Sequence, residues 1–134
     1  PVYGNGENIR DWLYVSDHCR ALQCVLHKGR PGNTYNIGAN NEMKNIDIVH
    51  LLCQVVDEIL PLNAVDKLNS YKDLITFVKD RPGHDFRYAI DSTRIREDLG
   101  WKPLESNRSG LLKMMRITMV ILNRTCAIST LVLR

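Results

Sequence analysis

The apolar positions of this chain change period several times, and each change marks an element. Asp11-Trp12-Leu13-Tyr14-Val15 gathers aromatic and β-branched residues and predicts a strand. Ser16 or Asp17 is then placed to cap a helix running to about His27, with Ala21, Leu22, Val25 and Leu26 on one face. The stretch from Gly29 to Gly32 ends that helix, and Thr34-Tyr35-Asn36-Ile37-Gly38 predicts a short strand leading into a loop. A second helix is expected from about Asn45 to Leu60, because Ile46, Val49, Leu52, Cys53, Val56, Ile59 and Leu60 recur at helical spacing until Pro61. Residues 62–73 are polar and predict a surface loop. Ile75-Thr76-Phe77-Val78 predicts a strand, Thr93 to Leu99 a third helix capped by Asp91 or Ser92 and closed by Gly100, and Ser109 opens a fourth amphipathic stretch. The opening, Pro1 to Gly6, is dense in turn formers and predicts a loop. The fold class is therefore α/β, built of small alternating elements.

That pattern lacks two things. No window holds the roughly 18 apolar residues of a membrane span. No glycine-rich turn joins a strand to a helix as a dinucleotide fold requires. The chain has no opening Met and no signal-like start, so it is expected to be a piece of a longer cytoplasmic protein. Its length allows one domain with a modest core.

Charge divides the chain unevenly. The formal net charge is +3, but the last acid is Glu105. Arg108, Lys113, Arg116, Arg124 and Arg134 follow it; without those five, 13 basic residues face 15 acidic ones. The tail has no aromatic residue, so a nucleic-acid footprint is not expected. The cysteines, Cys19, Cys24, Cys53 and Cys126, form no C-x-x-C pair, and Cys19, Cys24 and Cys53 fall inside helical patterns and read as small apolar packing residues. No metal site is expected. His18, His27 and His50 fall on helices and read as surface or packing groups, and the acid pair Asp57-Glu58 reads as a solvated helix face.

Three places could carry chemistry. Arg10 sits at the edge of an apparent strand, where a guanidinium could grip phosphate oxygens in a two-pronged contact. It could equally bridge to Glu7, Asp11 or Asp17. Asp80-Arg81-Pro82-Gly83-His84-Asp85 is a polar loop whose path is fixed by proline and glycine. Arg81 and His84 suit an anionic ligand such as a diphosphate, and a plain turn held by Asp80 or Asp85 is the alternative. Asn45 could cap its helix or offer its amide to a ligand at the positive helix end. Walker, G-x-S-x-G and H-E-x-x-H patterns are missing, and no catalytic residue is assigned.

Taken in order, these segments resemble one family. Pro1-Val2-Tyr3-Gly4-x-Gly6-x-x-Ile9-Arg10-Asp11-Trp12-Leu13-Tyr14-Val15-x-Asp17-His18, then Tyr35-Asn36-Ile37-Gly38, Asn45-Ile46-Asp47, Asp80-Arg81-Pro82-Gly83-His84-Asp85-x-Arg87-Tyr88-Ala89-Ile90-Asp91 and Leu99-Gly100-Trp101-Lys102-Pro103 are similar to the C-terminal part of bacterial dTDP-glucose 4,6-dehydratases. These are extended short-chain dehydrogenases. The resemblance runs from Pro1 to about Lys113 and implies a small sugar-nucleotide-binding domain over residues 1–113, without the Rossmann domain. It implies that Pro1, Val2 and Tyr3 line a nucleoside pocket, that Arg10 holds phosphate and that Asn45 contacts the nucleotide. It also implies that the loop of Asp80, Arg81, Pro82, Gly83 and His84 closes over the base and ribose-diphosphate.

Whole members of the family are NAD-dependent lyases and homodimers that convert dTDP-glucose to dTDP-4-keto-6-deoxyglucose. They use a Tyr-x-x-x-Lys pair and an Asp-Glu pair, and neither has a match here. The chain is therefore expected to bind a dTDP-sugar weakly, to bind no NAD and to do no chemistry alone. Exposed apolar surface is expected to drive association. The rivals are a piece of another sugar-nucleotide epimerase or decarboxylase, a non-enzymatic binding module and an inert gene remnant. Residues 114–134 lack the family's aromatic-rich continuation, which fits either a shifted reading frame or divergence.

Overall fold

The computed structural model describes residues 1–62 and 68–132, with side chains of the last helix described as far as Ile121. Among the described residues four short strands and four helices follow in order: β1 Val2–Tyr3, β2 Ile9–Asp11, α1 Val15–Lys28, β3 Glu42–Lys44, α2 Asn45–Ile59, β4 Phe77–Val78, α3 Thr93–Leu99 and α4 Asn107–Val132. A 3₁₀ turn, Tyr71–Leu74, precedes β4. The strands form two small sheets. β1 pairs parallel with β4, Val2 opposite Phe77, and β2 pairs antiparallel with β3, Arg10 opposite Met43. One further parallel bridge joins Ile9 to Arg87.

One core cluster lies between α1 and α3. Ala21, Ile95, Leu99 and Trp101 are buried there, with Leu13, Cys24, Val25, Tyr35 and Ile37 packed against them. Asp17 is also buried, and its carboxylate accepts from Arg20 and from the backbone N–H groups of Leu104 and Glu105. It thereby pins the segment leading into α4 onto the start of α1. Burial pushes its pKa up, but these hydrogen bonds prevail and hold it below the usual carboxylate range. The second packing centre is α2, where Ile48 and Val55 are buried seven residues apart. α2 contacts α4 and the 3₁₀ turn. Gly110 lets α4 pass close to Tyr14, since a Cβ there would lie 3.2 Å from the ring.

Several expectations change. The opening segment is not all loop, because Val2–Tyr3 finds a strand partner 75 residues later. The predicted strand at residues 11–15 is displaced to Ile9–Asp11, where β3 supplies the ladder; Val15 already begins α1. Residues 34–38 form no strand, because no neighbouring strand among the described residues pairs with them. Neither Ser16 nor Asp17 caps α1, since Tyr14 is at the cap and Asp17 turns inward. The inward stripe of α1 is Asp17 and Ala21, buried, with Cys24 and Val25 partly buried, because α3 covers only that side. Leu22 and Leu26 are exposed, as is Cys19. The strand expected at 75–78 is confined to Phe77–Val78. Asp57 is no solvated acid: it accepts from Ser70 Oγ and the Tyr71 N–H and so holds the 3₁₀ turn, while Glu58 pairs with Arg108. Cys126 lies outside the described side chains.

Helix α3 matches its expected bounds, because its stop signals are local. Asp91 accepts from the Thr93 N–H, and Gly100 closes the helix at φ +68°. α4 continues unbroken past residue 114. Among the described residues, no helix is long and apolar enough to cross a membrane, and no group of three or more potential ligands could hold a metal.

Candidate functional site

The site forms where the loop after β1 meets the loop after β4. Gly4 and Gly6 adopt φ +58° and +74° and fold the first loop back on itself. Gly6 has no room for a side chain, as a Cβ there would meet Ile46 and Val2 at 2.9 Å. The carbonyls of Gly6 and Asn8 accept the N–H groups of Ile46 and Asn45 at 2.9 Å each. The loop thus satisfies two of the donors that open α2. Asn8 is buried and donates from Nδ2 to the Asp85 carbonyl at 3.2 Å. Ile9 exchanges backbone hydrogen bonds with Phe86 and Tyr88. These contacts weld the two loops together.

Arg10, on β2, reaches across that weld. Its NH1 donates to the carbonyls of Ile9 at 2.6 Å and Phe86 at 3.4 Å. Its NH2 donates to the Asp85 carbonyl at 2.8 Å and faces His84 Nε2 at 3.1 Å. The guanidinium carbon lies 4.4 Å from the centre of the Tyr88 ring, a cation–π distance. None of Glu7, Asp11 or Asp17 is its partner. On the other side of His84, Nδ1 lies 2.7 Å from Asp80 Oδ1. Asp80 Oδ1 also accepts the Arg81 N–H at 2.8 Å. The hydrogen bond from His84, and then the Arg81 N–H, hold Asp80 below its ordinary pKa against some desolvation. Tyr88 donates its hydroxyl to Asp85, and that contact raises the phenol's pKa. Outside this cluster, Arg87 makes a two-pronged pair with Glu42, at 2.7 and 2.9 Å.

The sequence-selected residues therefore divide. Arg10, Asp80 and His84 meet in one chain of contacts. Arg81, Pro82 and Gly83 are exposed at the loop tip, and the Arg81 guanidinium makes no hydrogen bond among the described residues. Asn45 follows Lys44, the partner of Ile9, and its Oδ1 is buried without a hydrogen bond among the described residues. Tyr3 is exposed. Pro1 and Val2 line an apolar cavity of about 330 Å³ that extends to Val49, Val56, Tyr71 and Ile75. Sequence reasoning missed Asn8 and Tyr88. Asn8 leaves no signal, since one amide in a loop is ordinary. Tyr88 could have been found only as one of two aromatics that follow the cationic loop, Phe86 being the nearer.

Among the described residues the sheets have two strands each, and no glycine-rich turn joins a parallel strand to a helix.

The family described as GDP-mannose 4,6 dehydratase matches residues 1–115. The chain is 56% identical over 113 residues to the dTDP-glucose 4,6-dehydratase of Escherichia coli, covering 84% of this chain and 31% of that protein. Among solved structures, the dTDP-glucose 4,6-dehydratase of Bacillus anthracis in complex with NAD is 40% identical with a TM-score of 0.70, over 84% of this chain and 32% of that one. The dTDP-glucose 4,6-dehydratase DesIV of Streptomyces venezuelae, with NAD and TYD bound, is 34% identical with a TM-score of 0.73, over 87% and 32%. This chain thus spans about a third of the length of these relatives. It is a small α/β portion of an extended short-chain dehydrogenase fold, and it belongs to the GDP-mannose 4,6 dehydratase family.

Proposed function

We propose that this chain is the sugar-nucleotide-binding portion of a dTDP-glucose 4,6-dehydratase, and that residues 1–113 form the binding unit. The observation that supports the reading best is the junction of its two family-specific loops at Arg10, His84 and Asp80. A cationic and a hydrogen-bonding group stand there beside an aromatic ring, and Arg81 is free at the loop tip. Such a set suits a nucleoside diphosphate. Arg10 turns its terminal NH groups onto protein acceptors, which fixes the guanidinium beside the site and leaves its charge and Nε–H for a diphosphate, so the binding is weak. Arg81 approaches the phosphates from the exposed side. Pro1, Val2, Tyr3, Asn45 and the turn at Pro82 and Gly83 complete the nucleotide site.

In the whole enzyme, the substrate would be dTDP-glucose and the product dTDP-4-keto-6-deoxyglucose. NAD and the groups that move hydride and protons would come from sequence outside this chain. The setting is cytoplasmic and the whole enzyme a homodimer. Calorimetric titration with dTDP, UDP and GDP tests the reading. Weak binding with dTDP preferred supports it. No heat with dTDP from the folded chain, or a preference for UDP, would overturn it in favour of an inert remnant or an epimerase-like portion.

A further inference from the structure

Arg10 and Asp80 do not touch, yet both are tied to one imidazole. His84 is about nine-tenths buried at its side chain, with Asp80 on Nδ1 and Arg10 on Nε2. A guanidinium offers only donors and keeps its proton, so Nε2 must present its lone pair to Arg10. Nδ1 then carries the hydrogen, which it donates to Asp80. The opposite tautomer would aim an N–H at an N–H on one side and a lone pair at a carboxylate on the other. Which ring nitrogen carries hydrogen is set by the bond the other makes. The carboxylate of Asp80 is kept ionised by the ring and by the Arg81 N–H. Gly4 leaves room for it, since a Cβ there would sit 3.2 Å from Asp80 Oδ2.

We propose that Asp80 is a positioning residue and not a ligand contact: it holds His84 as the Nδ1–H tautomer, so that Nε2 accepts from Arg10 and presets the guanidinium for a diphosphate. This rests on the nucleotide reading above. It revises the role that the resemblance implies for Asp80. It also separates Asp80 from Arg81, its neighbour in sequence, whose guanidinium acts on the network through its charge and makes no hydrogen bond to it among the described residues.

Ring nitrogen-15 spectroscopy of the full chain tests the proposal with or without ligand. His18, His27 and His50 are exposed and serve as internal references. In the wild type, His84 is expected to show the Nδ1–H signature and the other three the ordinary signature of a solvated ring. Asp80→Ala should shift His84 towards the references and weaken dTDP binding roughly threefold to tenfold, the equivalent of one oriented hydrogen bond. Asp80→Asn retains an acceptor oxygen and should fall between. His84→Gln can place an amide oxygen where Nε2 stands, with no ring left to orient. In that background Asp80→Ala should leave dTDP affinity unchanged, as a double-mutant cycle requires. An unchanged His84 signature in Asp80→Ala, or an equal loss of affinity in the His84→Gln background, overturns the proposal. If the wild type binds no dTDP, the nucleotide reading falls, and the ring signature alone decides whether Asp80 positions His84.

Discussion

Asn8 and Asp85 are 77 residues apart in sequence, and the Asn8 amide donates to the Asp85 carbonyl at 3.2 Å. Asn8 is buried, so this bond has no competitor from water. Asn8→Ala removes one of that carbonyl's two donors, the other being Arg10 at 2.8 Å, and should destabilise the chain by about 0.5–1.5 kcal/mol. Asn8→Asp should be worse, because a carboxylate would face a carbonyl oxygen. Urea unfolding of the three proteins measures this, and equal midpoints would show that the contact holds nothing.

Arg10→Ala and Arg81→Ala should both weaken dTDP binding, by different routes. A charge-assisted hydrogen bond to phosphate contributes about 1.5–3 kcal/mol, or roughly tenfold to a hundredfold in affinity. Arg10 also ties Ile9, Asp85 and Phe86 together, so its loss should lower the melting temperature of the free chain. Arg81 donates only its backbone N–H, so its variant should melt like the wild type. Titration alongside melts separates the two; unchanged affinity in both variants removes them from the nucleotide site.

Asp17 sets an acid limit on stability. Its pKa is lowered in the folded chain, so its contribution is complete above the unfolded value and fades as pH falls towards the folded one. Glu42, Asp80, Asp91 and Glu105 shift the same way. Stability should therefore decline as pH drops below about 4. Asp17→Asn should weaken the chain at pH 7 and flatten that decline. Unfolding at pH 7, 4 and 3 checks both, and a parallel decline in the variant would exclude Asp17 as a source.

Val15, Leu22 and Leu26 of α1 are exposed, and Leu22 lies beside Ile37 and Ile90 in an open groove. Such surface promotes association. The purified chain should run larger than a monomer in size-exclusion chromatography and bind a hydrophobic dye, whereas a monomeric, dye-silent chain would contradict this.

Catalysis is expected to be missing from the same preparation. With dTDP-glucose and NAD added, no 4-keto-6-deoxy product should form, because hydride transfer needs a cofactor held against the sugar. Product formed by this chain alone would refute the division of labour proposed for it.

What could be read from the sequence was local. The bounds of α3 follow from Asp91, Thr93 and Gly100, all within one short segment. The end of α2 follows from Pro61 in the same way. The two loops that build the candidate site were also legible, through their family-specific spelling. Their contacts were not. Arg10 was open to partnership with nearby acids, yet it binds carbonyls and an imidazole brought from residues 84–86. The inward stripe of α1 depends on where α3 lands, which no periodicity states. β1 and β4 are two residues each, too short to announce themselves without their partner.

That last pairing has a consequence in time. Val2 cannot meet Phe77, nor Ile9 meet Phe86, until some 75 further residues have been made. At about 5–20 residues per second on a ribosome, the wait is on the order of 4–15 s. During that interval the first strand has an open edge and Arg10 has no loop to hold. The backbone hydrogen bonds of α1 and α2 are local and can form early, but their packing partners α3 and α4 are made later. Closure of the long loop comes late and is slow, as non-local pairings are. The junction of the two candidate loops thus waits on residues 77–86, well after β1 and β2 have been made.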